Sequence, residues 1–420
     1  MTKDIIQAII IENQEIIPQI ELVERDFRFE ENGNYVLTGV RQSGKSYLLF
    51  QRIHQFLKAG HSIEEMAFLN FDDERLFKMD VSELHLIVDA YLSHFNHTPI
   101  FFFDEIQNIN GWEHFARRLA NEKYRIFITG SNAKMLSRDI ATVLGGRLLN
   151  NMVYPYSFGE FLKASGISIT KHWKYGKQAS DIARKYNEYF EYGGFPEILK
   201  YQDKRAWLNS LFDRIYFSDM VVRNKVRNEE ALRLAVKRIA ENIKQPTSYG
   251  RISNLIKATG ISTSPASVMD YVRFMKEACL LFSIENYRSK FVEKETVKKH
   301  YFVDNGLLNV FLLDAEASLL ENICAIHLYR KYEKDLYYFK MNEEVDFYIP
   351  SEGLGVQVAY SLRDDKVLER EVKGLKLLHQ KHTLNKMLII TRDEKDEIVL
   401  DGDMKIEVIP VWQWLLEDNY

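Results

Sequence analysis

The sequence predicts a multidomain α/β protein whose N-terminal part is a parallel sheet covered by helices on both faces. Three observations predict it. Short, nearly continuous apolar runs alternate with stretches of helical periodicity, as strands buried on both sides do. A Gly-containing loop, Gly39-Val40-Arg41-Gln42-Ser43-Gly44-Lys45-Ser46, joins the first such run to a strong helix. After Pro155 the alternation stops, a helical region follows, and strands return from Tyr337 onward.

In chain order, Met1–Glu30 reads as a helix and then a polar connection, and Asn32-Gly33-Asn34 as a turn. Tyr35–Thr38 is a short buried strand and Ser46–Ala59 a helix. Met66–Phe71, Ile100–Phe103 and Arg125–Thr129 are the next strands, separated by helical patterns over Val81–Phe95 and Trp112–Asn121. From Phe158 to about Val222 the chain is helical and aromatic-rich, broken by Gly193-Gly194-Phe195-Pro196. Three helical stretches follow between Glu229 and Phe282, then strands at Leu281–Ile284 and His300–Val303. Strands are expected at Tyr337–Lys340, Val345–Ile349, Gly355–Tyr360, Met387–Thr391 and Ile406–Pro410, with a helix over Asp364–His379. The expected divisions are 1–30, 31–157, 158–225, 226–299 and 300–420.

Composition excludes several classes. The 420 residues are 46% hydrophobic and 28% charged, an ordinary globular balance. No apolar run approaches the roughly 20 residues of a membrane span, and the charged N-terminus does not resemble a secretory signal. Cys279 and Cys324 have neither disulfide-framework nor metal spacing, so a cytoplasmic location is expected. His94 and His97 have no neighbours to complete a metal site. The net charge of −4 hides a mosaic. Residues 1–220 carry 26 basic and 29 acidic side chains, 221–299 carry 16 and 8, and 300–420 carry 14 and 23.

The loop at Gly39–Ser46 matches G-x-x-x-x-G-K-[ST] in the strand–loop–helix context that phosphate binding requires. Its backbone N–H groups and the following helix start offer positive potential to phosphate oxygens. Lys45 would reach the β- and γ-phosphates of ATP and the Ser46 hydroxyl would ligate Mg²⁺. Ile100–Phe103 ends in Asp104 and Glu105. Asp104 can hold Mg²⁺ through water and Glu105 can orient or deprotonate the attacking water. Thr129-Gly130-Ser131-Asn132 ends the fourth strand, and Ser131 or Asn132 could stand between nucleotide and water. Arg41, inside the loop, could contact nucleotide or a neighbour.

The runs VLTGVRQSGKSYLL, FFFDEIQNINGWEHFARRL, FITGSN, LGGRLLNNMVYPYSFGEFL and YFEYGGFPEIL resemble, in order and spacing, a group of prokaryotic AAA+-type ATPases. The resemblance covers Ile16 to about Trp414. It implies an N-terminal AAA module, Walker roles for Lys45, Ser46, Asp104 and Glu105, a sensor at Ser131 or Asn132, and a C-terminal domain of the DUF4143 type. Arg147, in Leu144-Gly145-Gly146-Arg147, is the candidate arginine finger in trans or phosphate sensor in cis. An oligomer would be needed for the trans role. The Pro155–Phe161 and Tyr192–Pro196 runs read as the entry to a helical lid and a corner within it.

Tyr249–Thr259 and Ile261–Glu277 resemble a helix-turn-helix, and the strands after it could form a wing. The second helix should bury Val268, Tyr271, Val272 and Met275 and expose Ser264, Ser267, Arg273 and Lys276. With Arg288, Lys290, Lys294, Lys298 and Lys299 near the wing, residues 249–299 are a candidate DNA-binding winged helix. In the C-terminal region Glu321, Glu343-Glu344-Val345-Asp346 and Gln357-Val358-Ala359 look like a restriction-nuclease-type core. There Gln357 stands where a metal-binding Glu belongs and Ala359 where a Lys belongs. Nuclease activity is therefore not expected, and the region is assigned to protein binding or regulation. The sequence thus points to a P-loop ATPase using ATP and Mg²⁺, acting on DNA or a DNA-bound partner. Its alternative is a nucleotide-gated protein–protein scaffold with slow turnover.

Overall fold

In the first strand, β1 (Tyr35–Thr38), all four residues are buried, because the sheet is covered on both faces. The same holds for β3 (Ile100–Asp104), and nearly so for β2 (Met66–Asn70) and β4 (Arg125–Gly130). Alternate side chains serve opposite layers. Val36, Leu69, Phe101, Phe103 and Ile128 enter one core cluster. Leu37, Phe68, Phe102 and Phe127 enter the other, where Phe102 stacks on Phe127 with centroids 5.0 Å apart. Each such side chain contributes roughly 1.5–3 kcal/mol through burial. The sheet is wholly parallel in the order β2-β3-β4-β1-β5.

Helix α1 (Lys3–Ile16) buries Ile6, Ile9 and Ile10 at helical spacing in the first cluster. Helix α2 (Lys45–Lys58) buries Leu48, Leu49, Ile53 and Phe56 in the second. Helices α3 (His85–Leu92), α4 (Trp112–Asn121) and α5 (Arg138–Leu144) follow in the connections. Strand β5 (Leu149–Met152) is absent from the sequence expectation. It is Leu-Asn-Asn-Met with a largely exposed pattern, so neither periodicity nor propensity marks it; backbone pairing to β1 forms it.

The structure, a computed structural model, describes residues 2–400 and 404–417. Residues 401–403 and 418–420 of the expected C-terminal division lie outside the described residues. The chain divides into two compact units, residues 1–155 with 277–279, and residues 156–276 with 280–420.

The second unit opens with helices α6 (Phe158–Ala164), α7 (Gly176–Tyr192) and α8 (Lys204–Arg214). A capping box between Ser157 and Glu160 starts the first of them. Next come α9 (Glu229–Glu241), β6 (Thr247–Ser248), α10 (Tyr249–Lys257), α11 (Pro265–Glu277), β7 (Leu281–Asn286), α12 (Phe291–Thr296) and β8 (Val297–Phe302). Strand β8 pairs antiparallel with both β6 and β7. Val268, Tyr271, Val272 and Met275 are buried as expected. Helices α13 (Asn305–Asn309) and α14 (Glu316–Tyr332) lead to β9 (Tyr337–Lys340), β10 (Glu344–Ile349), β11 (Leu354–Val358), α15 (Asp365–Lys381), β12 (Lys386–Thr391), β13 (Asp396–Val399), β14 (Lys405–Pro410) and α16 (Val411–Glu417). Because β7 also pairs with β9, one nine-stranded sheet joins β6–β8 to β9–β14. The expected division between 299 and 300 therefore falls inside β8, and continuous hydrogen bonding crosses it.

Candidate functional site

Strand β1 delivers the loop at Gly39 to the carboxyl edge of the sheet. The Gly39 N–H donates to the Gly130 carbonyl and the Val153 N–H to the Thr38 carbonyl, at 3.3 and 2.6 Å. A Cβ on Gly39 would lie 2.1 Å from the Val153 carbonyl oxygen, so only glycine allows this close passage. Gln42 and Gly44 take positive φ, 60° and 94°, and Lys45 begins α2. Among the described residues, the buried Ser43 and Thr38 hydroxyl oxygens have no hydrogen-bond partner. Arg25 braces the loop from the N-terminal connection, donating to the carbonyls of Ser43 and Tyr154 at 3.0 and 2.9 Å.

Four of the candidate residues converge. The Ser46 hydroxyl donates to Asp104 Oδ2 at 2.7 Å. The buried Lys45 ammonium donates to the carbonyls of Gly39 and Val40 at 3.2 and 3.1 Å and lies 3.5 Å from Glu105 Oε1. Burial and the neighbouring Glu105 charge push the Asp104 carboxyl up to about 6. Burial alone would raise Glu105 too. The Lys45 charge, hydrogen bonds from Gln107 and Ser131, and the Arg41 charge outweigh it and hold Glu105 below its ordinary value. Glu105 is therefore an ionised carboxylate beside an ammonium, while Asp104 faces a serine hydroxyl on the phosphate loop.

Ser131 joins this group, its hydroxyl 2.8 Å from both Glu105 carboxylate oxygens. Asn132 does not; its side chain accepts the Lys134 N–H and starts a short 3₁₀ turn. Arg147 is also elsewhere. It precedes Leu149, which pairs with Tyr35 at the start of β1, the edge opposite the phosphate loop. There its guanidinium is exposed and donates to Asn121 Oδ1 at 2.5 Å. The expectation of Arg147 as a sensor in cis is corrected by this placement, because β1 separates it from the loop.

Sequence reasoning missed Thr129, Gln107 and Arg25. Thr129 is fully buried, donates to Asp104 Oδ1 and accepts the Glu105 N–H, so one hydroxyl ties both acids to β4. Gln107 donates to Glu105 Oε2 at 2.5 Å. Only their positions beside the acid pair and the strand end hinted at these roles. Arg25 lay in a connection with no motif.

The residues present fit a nucleotide–metal pair. The loop has unpartnered buried hydroxyls, a glycine passage and a helix start, and Ser46 with Asp104 is an oxygen donor set suited to Mg²⁺. A phosphate loop after a buried strand, facing an acid pair at the end of β3 in a five-stranded parallel sheet, defines a P-loop NTPase. A family model described as an AAA domain matches residues 31–162, and one described as a domain of unknown function (DUF8612) matches residues 183–318. The expected DUF4143-type assignment is corrected accordingly, since the matched region is a differently numbered one. The uncharacterized protein MJ1544 of Methanocaldococcus jannaschii is 32% identical over 99% of this chain and 96% of its own length. An uncharacterized protein of Haemophilus influenzae is 32% identical over 91% of this chain and 94% of its own. The chain belongs to the family of these two proteins, and it carries an AAA domain. Among solved structures, the Walker-type ATPase PABY2304 of Pyrococcus abyssi aligns at TM-score 0.40 and 13% identity, covering 74% of this chain and 95% of that one. The ORC1 protein of Aeropyrum pernix in complex with DNA aligns at 0.34 and 14%, covering 72% and 90%.

Proposed function

We propose that this chain binds ATP with Mg²⁺, hydrolyses ATP, and acts as a nucleotide-driven switch on DNA or on a DNA-bound partner. The observation that carries the ATPase reading is the pairing of Ser46 with Asp104 and of Lys45 with Glu105. Ser46 and Asp104 would hold the metal, which when bound neutralises charge on the transferring phosphoryl group. Loop N–H groups and the start of α2 bind phosphate oxygens. Lys45 exchanges its carbonyl partners for the β- and γ-phosphates. Glu105 takes the proton of the attacking water, and Ser131 and Gln107 aim its carboxylate. Arg147 would then act in trans, as a finger offered to a second copy in an oligomer. Lys45→Ala should abolish nucleotide binding. Glu105→Gln should leave binding intact and cut turnover about 10²-fold or more. Normal turnover in Glu105→Gln would mean that another group is the base.

The DNA half rests on the helix order α9–α11 and the β6-β8-β7 ladder, the order of a winged helix, with Arg251, Lys257, Arg288 and Lys290 exposed. Duplex DNA should then raise turnover, with affinity falling steeply as salt rises. A specific observation favours the scaffold alternative: much of the segment's positive charge is used internally. Lys298 pairs with Glu285 and Glu295, Lys299 is fully buried, and Lys276 is half-buried. Unchanged turnover together with no mobility shift at low salt would select the scaffold, with a protein partner on the C-terminal region.

A further inference from the structure

Lys299 was expected at a DNA-facing wing. It instead has no exposed surface, and its ammonium nitrogen sits among three carboxylates. It lies 3.1 Å from Glu321 Oε1 on α14, 2.9 Å from Glu344 Oε1 and 3.1 Å from Asp346 Oδ1 on β10. An ammonium has three protons, and here three acceptors surround it. Further bonds hold the same carboxylates: Tyr301 also donates to Glu321 Oε1 at 2.7 Å, the Val358 N–H donates to Asp346 Oδ2 at 3.0 Å, and Lys340 to Glu344 Oε2 at 2.7 Å.

Gln357 is committed too. Its Oε1 accepts the Asp346 N–H at 2.9 Å and its Nε2 donates to the Glu344 carbonyl at 2.8 Å. Its amide thus fastens β11 to β10 and offers nothing to a metal. Among the described residues, no group of three or more acid, His or Cys side chains stands ready to hold a metal ion. Yet three carboxylates gathered around one point, Glu321 buried and Glu344 and Asp346 partly exposed, favour a cation between them. Burial by itself would lower the Lys299 value, but the surrounding acids raise it well above the ordinary lysine range and so favour its charged form.

We propose that the Lys299 ammonium is a built-in cation occupying the seat that a divalent metal would take between Glu321, Glu344 and Asp346. The centre is complete without metal. Lys299 arrives on β8, so the same contact fastens the β6–β8 ladder to α14 and β10. Removing the side chain should leave an oxygen-only pocket of three carboxylates, the donor chemistry of Mg²⁺ or Mn²⁺.

The test uses full-length chain, without nucleotide, titrated with MnCl₂ and followed by electron paramagnetic resonance and thermal melting. Lys299→Ala should bind Mn²⁺ at least tenfold more tightly than wild type, and Mn²⁺ should raise its Tm. Adding Asp346→Asn to Lys299→Ala should erase both gains. A folded Lys299→Ala with wild-type Mn²⁺ affinity overturns the proposal. So does a wild-type Mn²⁺ site lost on Asp346→Asn. If Lys299→Ala is unfolded in chelator, recovery of its circular dichroism by Mn²⁺ supports the proposal, and no recovery overturns it. None of these outcomes depends on the ATPase reading.

Discussion

Glu105 adopts a left-handed backbone conformation, φ 53° and ψ 39°, which in a non-glycine residue costs on the order of 1 kcal/mol. Its N–H donates to Thr129, and its carboxylate accepts from Ser131 and Gln107. The local cost is offset by these bonds, and the carboxylate is presented in one orientation. Under the ATPase reading, Ser131→Ala and Gln107→Ala should each lower kcat about tenfold while leaving nucleotide affinity within about twofold. Steady-state kinetics with a separate binding titration checks this. A loss confined to affinity would show that the two residues serve the nucleotide instead.

At the scale of elements, Gly193-Gly194-Phe195-Pro196 forms a corner after α7. Gly193 has φ 77° and ψ −165°, a region essentially restricted to glycine, and a Cβ there would lie 2.0 Å from Asp304 Oδ1. The Gly194 N–H donates to Asp304 Oδ2 at 2.7 Å, and Asp304 also accepts the Gly306 N–H at 2.8 Å to start α13. One carboxylate thus stitches α7 to α13. Gly193→Ala should destabilise the second unit by about 2 kcal/mol or more and lower its Tm. An unchanged melting profile would show that the corner tolerates a side chain.

For the molecule as a whole, buried carboxylates make stability depend on pH. Burial pushes Asp304 up to about 6, against the bonds from Gly194 and Gly306. A carboxyl whose folded value is raised favours the protonated form in the folded state. Its contribution is fully present below about pH 4 and is lost as pH rises through 6, by up to roughly 1.4 kcal/mol per unit. Asp304→Asn should flatten that part of the stability–pH curve, measured by urea denaturation between pH 4 and 7. An unaltered slope would place the ionisation elsewhere.

The sequence by itself determined the phosphate loop, the acid pair and four of the five strands of the first sheet. Each is a local pattern: a glycine spacing, or an apolar run ended by acids, whose physics acts within a few residues. Leu149–Met152 escaped because an edge strand with two asparagines is made by its partner's backbone, not by its own pattern. Only the tertiary structure decided which charges meet. It placed Ser131 on Glu105 and Asn132 in a turn, sent Arg147 to the opposite edge of the sheet, and turned Lys299 inward to Glu321, Glu344 and Asp346. The reason is that a charge's role depends on desolvation and on partners far away in the chain, and neither is written in the residue or its neighbours.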